Sequence, residues 1–234
     1  MYVAPPNVTA LSLGDLLRSS FPYASDSGQT ELSLFGNASR LSVPVYYAGE
    51  LSLLSRRCVS IIGSRQVSEI GAGQAKRLSE ELTSSGFVVM SGLAAGVDTQ
   101  AHTAAIGAGG RTVAVIGTPL DMAVPTENAG LQALIYREQL LISQFPTGAG
   151  VSERNFPRRN RLMAALSVAS VIVEASDSSG ALHQARECVR LKRWLFIPQT
   201  LIEDRSLTWP SRFLKYDRVR AFKITLDIAK MIGA

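Results

Sequence analysis

The sequence predicts an α/β fold in which helices cover both faces of a parallel sheet. Two observations support this class. Short apolar runs without polar alternation recur along the chain, as expected of strands buried on both faces. Helical patterns separate these runs, and several of them open with Ser or Asp and close with Gly. With 234 residues, 46% of them hydrophobic, the chain is long enough to bury one large core.

The predicted strands are all short and apolar, and they cover residues 59–63, 87–91, 112–117, 140–145, 171–174 and 194–198. The predicted helices cover residues 67–85, 98–108, 127–137, 158–168 and 179–192. A short extended piece at 43–49 precedes them. In such an alternating arrangement, ligands bind beyond the carboxyl ends of the strands.

The chain divides at about residue 40. Residues 1–40 mix Ser, Gly, Pro and Asn with a short leucine pattern behind a possible helix cap at Thr9, and a loop is expected at 25–28. This part is predicted to be an N-terminal extension or the remnant of a small helical module. Residues 41–234 are predicted to form the α/β domain.

Cysteine usage and hydropathy indicate a cytoplasmic protein without membrane contact. Cys58 and Cys188 lack framework spacing and are expected to be buried thiols. No stretch approaches the length of a membrane span, and the first residues do not resemble a secretory signal. The two histidines, His102 and His183, have no second ligand at metal spacing. We therefore expect neither a metal nor a cofactor.

Positive charge is concentrated in the second part of the chain. Residues 1–150 contain 9 Lys and Arg against 11 Asp and Glu, whereas residues 151–234 contain 15 against 8. The basic part begins near 156–161, with the sequence FPRRNR, just before an apolar helical run. An aromatic ring can stack on a base and guanidinium groups can bind phosphate, so this stretch suits an anion that carries a ring. A solvated basic helix start, with Phe156 in the core, remains the alternative.

Small polar residues follow the predicted strands, where ligands are expected. Gly63, Ser64 and Arg65 follow the first strand, and Ser91 with Gly92 ends the second. Residues 117–118 and 176–180 follow the third and fifth strands. Because each turn leads toward a helix start, the turns together predict a phosphate-binding cleft lined by backbone N–H groups.

Two kinds of enzyme site are disfavoured by the same residues. The G-x-G-x-x-G fingerprint and the Walker-type loop are both missing, which argues against NAD binding and ATP hydrolysis. Asp98 and His102 share one helix face and would need a nucleophile such as Ser91 for catalysis. We favour a structural role, with Asp98 capping the helix and His102 bonding to a neighbouring loop. No catalytic residue is predicted, and the chain is not expected to be an enzyme.

Several segments resemble the DprA/Smf family of DNA-processing proteins in order and spacing. They are residues 61–65 (IIGSR), 91–102 (SGLAAGVDTQAH), 156–161 (FPRRNR) and Glu174 followed by Ser179 and Gly180. The resemblance covers about residues 41–200. The chain ends soon after a basic tail, so the winged-helix domain of many relatives is not expected.

The resemblance implies an extended Rossmann-like domain that binds single-stranded DNA in a basic pocket, as in DNA recombination and natural transformation. It also implies a homodimer that delivers the strand to the RecA recombinase. The expected DNA or phosphate contacts are Gly63, Ser64, Arg65, Ser91, Gly92, Phe156, Arg158, Arg159, Asn160, Arg161, Ser179 and Gly180. Asp98, His102 and Glu174 are expected to be structural residues near the cleft.

Two other functions fit the same predicted cleft. One is a nucleotide sensor of a defence or mobile-element system, which needs no long basic surface. The other is a LOG-type nucleoside monophosphate phosphoribohydrolase, a related branch of the fold. That family uses P-G-G-x-G-T-x-x-E, but here Gln184 stands where its catalytic glutamate is expected. A glutamine cannot act as a general base, so the hydrolase is disfavoured.

Overall fold

The computed structural model describes residues 2–21 and 38–233, and it contains a nine-stranded sheet within those residues. The strand order is β1-β2-β6-β5-β4-β3-β7-β8-β9. All pairs from β6 to β9 in this order are parallel, whereas β2 is antiparallel to both β1 and β6. The predicted α/β class with a mainly parallel sheet is confirmed.

The strands are β1 (Thr9–Ser12), β2 (Pro44–Gly49), β3 (Cys58–Ile62), β4 (Val88–Ser91), β5 (Thr112–Ile116), β6 (Leu140–Ser143), β7 (Ala169–Ile172), β8 (Trp194–Pro198) and β9 (Val219–Phe222). The α-helices are α1 (Leu13–Ser19), α2 (Ala38–Leu41), α3 (Glu69–Ser84), α4 (Val97–Gly107), α5 (Ala129–Glu138), α6 (Asn155–Leu166), α7 (Ala181–Arg190), α8 (Gln199–Glu203), α9 (Trp209–Phe213) and α10 (Thr225–Ile232). Two short 3-10 turns lie at Leu51–Ser55 and Thr126–Asn128.

Alternate residues of the central strands pack into opposite layers. In β3, Val59 and Ile61 face the layer formed by α3, α4 and α10. Cys58 and Ile62 face the layer that contains residues of α1, α6, α7 and α9. Both faces are therefore buried, which explains why these strands are apolar without alternation.

The N-terminal residues join the same sheet. Thr9–Ser12 pairs with Pro44–Gly49, and Tyr2 donates from its hydroxyl to the Leu120 carbonyl at 2.8 Å. The predicted short helix is present as α1, but its cap is Ser12, which accepts from the Asp15 amide, and not Thr9. The loop expected at 25–28 lies outside the described residues.

Other expectations about burial are met. Cys58 and Cys188 are buried free thiols, and burial raises the pKa of each to about 12.

Among the described residues, no helix combines the length and the apolar character that crossing a bilayer requires.

The sheet contains one topological switch point. From β3 the chain adds β4, β5 and β6 on one side, and from β7 it adds β8 and β9 on the other. The loops that follow β3 and β7 therefore diverge and leave a crevice at the carboxyl ends of these neighbouring strands. Ligands of open α/β sheets bind at such a crevice.

Candidate functional site

A cleft of about 880 Å³ lies at the switch point. Its walls come from the loop after β3, the first turns of α6, the loop after β7 and the start of α7. Residues 201–207, after β8, close a further side. This volume lies in the usual range for a small-molecule site, and it is open to the surface of the protein.

The loop after β3 is held by its neighbours. The Ser64 hydroxyl donates to the Gln66 carbonyl at 2.8 Å, and the Ser64 carbonyl accepts from the Val97 amide at 3.1 Å. A Cβ atom at Gly63 would approach Val97 Cγ2 to 2.6 Å. Gly63 thus allows the loop to pack against the start of α4, and the loop presents Arg65 to the cleft.

Arg65 and Phe156 form the exposed cation–aromatic pair of the cleft. The Arg65 guanidinium carbon lies 5.1 Å from the centroid of the Phe156 ring. Arg65 is exposed, whereas Phe156 is half-buried. The ring also packs against Gly117, where a Cβ atom would come within 2.7 Å of Phe156 Cδ1. A rigidly seated ring beside a mobile cation can contact a flat group and an adjacent anion together.

Arg159 is built into the cleft floor. It is buried, and its Nη1 donates to the Gly92 carbonyl and to the Val115 carbonyl, the latter at 2.9 Å. Its Nε donates to Asn160 Oδ1 at 2.9 Å. Any side chain at Gly92 would collide with the guanidinium. Burial lowers the Arg159 pKa, and the charge of Asp98 opposes that shift. Arg159 therefore joins the ends of β4 and β5 beneath the cleft.

Asp98 supports the loop after β4. Its Oδ2 accepts from the Gly92 amide at 3.2 Å and from the Ala94 amide at 3.3 Å. The helix cap residue is Gly96, so Asp98 does not cap α4 as expected. Burial raises the pKa of Asp98, while the positive charge of Arg159 lowers it. The carboxyl group thus stabilises the loop that carries Gly92.

Ser91 and His102 are buried away from the cleft opening. The Ser91 hydroxyl donates to the Ile61 carbonyl at 2.7 Å. His102 Nδ1 lies 2.7 Å from Thr112 Oγ1 on β5, rather than bonding to a loop as expected. Burial lowers the His102 pKa to about 3, so the ring is neutral at physiological pH. Neither residue is among those that line the cleft.

The start of α7 forms the opposite wall. Ser179 and Gly180 line the cleft, and Gly180 is the residue before the helix. Asn160 Nδ2 donates to the Gly180 carbonyl at 3.3 Å and so ties α6 to α7. Gln184, one turn into α7, is fully buried and lines the cleft. Its Nε2 donates to Ser170 Oγ at 3.0 Å, and its Oε1 has no partner among the described residues.

Glu174 joins the loop after β7 to the start of α3. Its carboxylate accepts from the Ser68 hydroxyl at 2.5 Å and from the Ser68 amide at 3.2 Å. Ser68 itself caps α3 by accepting from the Gly71 amide at 3.0 Å. The negative charge lies at a helix N-terminus, where it is favoured. Glu174 thus fixes the two loops of the switch point relative to each other.

Arg158 and Arg161 lie on a different surface. The Arg158 guanidinium carbon is 5.2 Å from the centroid of Phe145. Arg161 Nε is 3.3 Å from Glu187 Oε1. Both arginines line a separate pocket, and neither lines the cleft. The three arginines of the FPRRNR stretch therefore point in different directions around α6.

Positive and negative charges are more nearly balanced in the cleft than the sequence implied. Among residues 151–233, Arg159 is the one lysine or arginine that lines it, and Arg65 comes from the less basic part of the chain. Three acidic residues, Asp98, Glu174 and Asp204, also line the cleft. Sequence analysis did not identify the contribution of 201–207, because nothing in that segment predicts that it lines the cleft.

Comparisons with known proteins identify the family of this chain. The family described as DNA recombination-mediator protein A matches residues 33–216. DNA processing protein DprA from Streptococcus pneumoniae is 37% identical over 165 residues, which cover 70% of this chain and 58% of that protein. Protein Smf from Synechocystis is 38% identical over 156 residues, which cover 65% of this chain and 39% of that protein. The chain thus spans less than two thirds of either relative.

Solved structures agree with this assignment. An X-ray structure of DprA from Streptococcus pneumoniae has a TM-score of 0.78 at 30% identity, covering 96% of this chain and 74% of that chain. DprA from Helicobacter pylori has a TM-score of 0.74 at 24% identity, covering 85% of this chain and 91% of that chain. At this identity the likeness supports the fold alone. The family match covers most of the sequence. The chain therefore belongs to the DNA recombination-mediator protein A family, whose curated relatives are named DprA or Smf.

Proposed function

We propose that this chain binds single-stranded DNA in the cleft at the switch point. The observation that carries the proposal is the exposed Arg65 beside the half-buried Phe156 ring, at a guanidinium-to-centroid distance of 5.1 Å. A base that stacks on Phe156 takes the place of the Arg65 guanidinium, which turns to the neighbouring phosphate. Stacking and phosphate contacts are the two interactions that bind single strands without sequence preference.

Backbone groups around the cleft support the same occupant. The loop after β3 and the N-terminus of α7 face each other across it, and helix N-termini attract anions. Arg159, Asp98 and Glu174 support these walls through the backbone and cap contacts described above. On this proposal they fix the shape of the site, while Arg65 and Phe156 contact the strand. The structure of the Helicobacter pylori relative concerns a single-stranded DNA binding mode.

The test is fluorescence anisotropy of a labelled oligothymidine over a salt series. We expect Phe156→Leu to weaken binding by about 1–3 kcal/mol, the usual contribution of one stacked base. Arg65→Gln should reduce the slope of log K against log salt by about 0.7, as for one lost phosphate contact. The matched control is Arg137→Gln, because Arg137 is exposed and, within the described residues, donates to the Ala133 carbonyl of its own helix.

Equal binding by Phe156→Leu, Arg65→Gln and the Arg137→Gln control would contradict the proposal. Melting temperatures of the three variants must be compared first, so that a folding defect is not mistaken for a lost contact. Competition by a mononucleotide would instead favour the nucleotide sensor, whose ligand the volume of about 880 Å³ also suits. An assay for released base tests the hydrolase, for which buried Gln184 offers no carboxylate.

Delivery of the strand to RecA, by a homodimer, is part of the same proposal and is supported by the family resemblance. We expect the chain to accelerate RecA assembly on DNA that is already coated with a single-strand binding protein. Light scattering should give twice the mass of the 234-residue chain. A monomer that binds DNA but leaves RecA assembly unchanged would restrict the function to strand binding.

A further inference from the structure

A second pocket, of about 310 Å³, lies on the far side of α6 from the cleft. We call it the arginine pocket, because Arg40, Arg158 and Arg161 line it together with Leu13, Val43 and Gln144. We propose that the arginine pocket binds a further backbone phosphate of the strand that leaves the cleft across α6. This inference rests on the proposed function of the cleft.

The charge of the pocket carries the proposal. Three guanidinium groups line it, and no carboxylate is among its lining residues in the described part of the chain. Arg158 forms no ion pair within the described residues, so its positive charge in this concave site attracts an anion. Arginine binds phosphate oxygens with two parallel N–H donors, so a phosphodiester is the anion that this lining fits.

Arg158 is held in place for such a contact. Its guanidinium lies over the ring of Phe145, 5.2 Å from the centroid, and Phe145 is itself buried. Stacking uses the flat face of the guanidinium and leaves the N–H groups at its edge for a ligand. Less side-chain entropy is then lost when a phosphate binds.

Arg161 is only weakly engaged within the protein. Its Nε is 3.3 Å from Glu187 Oε1, but Glu187 also forms a shorter contact of 2.7 Å with Arg190. The Arg161 side chain is 52% exposed, whereas Glu187 is 16% exposed and keeps the closer contact with Arg190 when Arg161 turns away. A phosphate can therefore recruit Arg161 at small cost.

Gln144 provides an independent sign of an incomplete site. Its Oε1 is buried and has no hydrogen-bond partner among the described residues. Buried amide groups normally have partners. A phosphodiester has no proton to donate to this oxygen, so Gln144 can contact a phosphate only through its NH2 group. Turned by half a rotation, the amide presents its NH2 group to the same position and can donate to a phosphate oxygen.

The position of the pocket fits a strand that continues from the cleft. Phe156, Pro157 and Asn160 of α6 line the cleft, and Arg158 and Arg161 of the same helix line the arginine pocket. A strand that crosses the first turns of α6 spans a width of about 10 Å, the diameter of one helix. The proposal also gives a role to the N-terminal residues, since α2 supplies Arg40.

The experiment compares oligothymidines of about four and about sixteen nucleotides, the range of lengths that single binding folds cover. The variant is Arg158→Gln with Arg161→Gln. The matched control is Arg137→Gln with Arg218→Gln, because both arginines are exposed and line neither site. Within the described residues, each donates to a backbone carbonyl, and Arg218 also lies 5.9 Å from the centroid of the Trp194 ring. We expect the short oligomer to bind the wild type, the variant and the control within twofold. The long oligomer should bind the Arg158/Arg161 variant on the order of tenfold more weakly, with a salt slope reduced by about 0.7, as for one lost phosphate.

Three results would overturn the proposal. In the first, the long oligomer binds the variant and the control with the same affinity and salt slope. In the second, the variant loses equal affinity for the short and the long oligomer, which would assign the arginines to the cleft. Calorimetry with inorganic phosphate provides a third arm: phosphate binding that the variant loses, with oligomer binding unchanged, would assign the pocket to free phosphate. If the wild type binds neither oligomer, the proposed function itself fails, which is distinguishable from all three.

Discussion

Arg159 could either contact DNA or support the structure, and the two roles predict opposite effects of a substitution on stability and on DNA binding. The change is Arg159→Met, which keeps most of the side-chain volume and removes the donors. In the structure the buried guanidinium donates to the carbonyls of Gly92 and Val115. Hydrogen bonds from a charged donor contribute about 1.5–3 kcal/mol each, and both carbonyls would lose this donor. Removing the desolvation cost of the charge offsets part of this loss.

We therefore expect Arg159→Met to lower the free energy of unfolding by about 3 kcal/mol. For a domain of this size, that corresponds to a fall in melting temperature of about 6–12 °C. Urea unfolding followed by tryptophan fluorescence measures the first quantity, and differential scanning calorimetry the second. Arg65→Gln is the control. Because Arg65 is exposed, this variant should have a melting temperature within about 2 °C of that of the wild type.

DNA binding separates the two explanations. If Arg159 is a support, anisotropy measured well below the melting point should show that the folded fraction of Arg159→Met keeps most of its affinity. Unchanged stability together with a complete loss of binding would refute the structural account. The guanidinium would then have to leave its two carbonyls and contact the strand directly.

Two further predictions concern residues behind the cleft. Burial lowers the pKa of His102 in the folded protein to about 3, from an ordinary value of 6.5. The unfolded chain therefore takes up the proton first, and the free energy of unfolding falls as the pH drops below 6.5. Between pH 7 and 5 the wild type should lose about 2 kcal/mol more than His102→Gln, measured by urea unfolding at each pH; equal losses would contradict this. Gly96→Ala should displace the loop that carries Arg65, because the φ angle is +78° and the new Cβ would lie 2.6 Å from the Arg65 carbonyl oxygen. DNA affinity should fall by at least about tenfold relative to Gly109→Ala, which has a similar φ of +71° but no neighbour within 4 Å, and similar affinities would show that the loop tolerates the contact.

The central strands could be predicted from the sequence because each is buried on both faces and short. The prediction for β3 at 59–63 differs from the structure by one residue at each end. The antiparallel edge was not predicted. β2 pairs with β6, more than ninety residues later, and local patterns do not encode pairing over that distance.

At the cleft, the loop residues and Phe156 were identified because small residues after strands and an aromatic beside arginines are local signals. The direction in which each arginine points could not be predicted. Successive residues of a helix are separated by about 100°, so Arg158, Arg159 and Arg161 face different surroundings. One signal could have distinguished them: Arg159, Leu162, Met163 and Leu166 share the i, i+3, i+4, i+7 spacing of a buried helix face. That spacing places Arg159 on the inward side of α6.

The collision between a side chain at position 92 and the guanidinium of Arg159 has a consequence for sequence change in the family. The two positions are 67 residues apart in the chain, yet each determines which residues the other can hold. A relative with Ala or Ser at position 92 cannot keep this arginine in place, and one that loses the arginine no longer requires glycine. We expect the pair to vary together among relatives, as two halves of one structural unit.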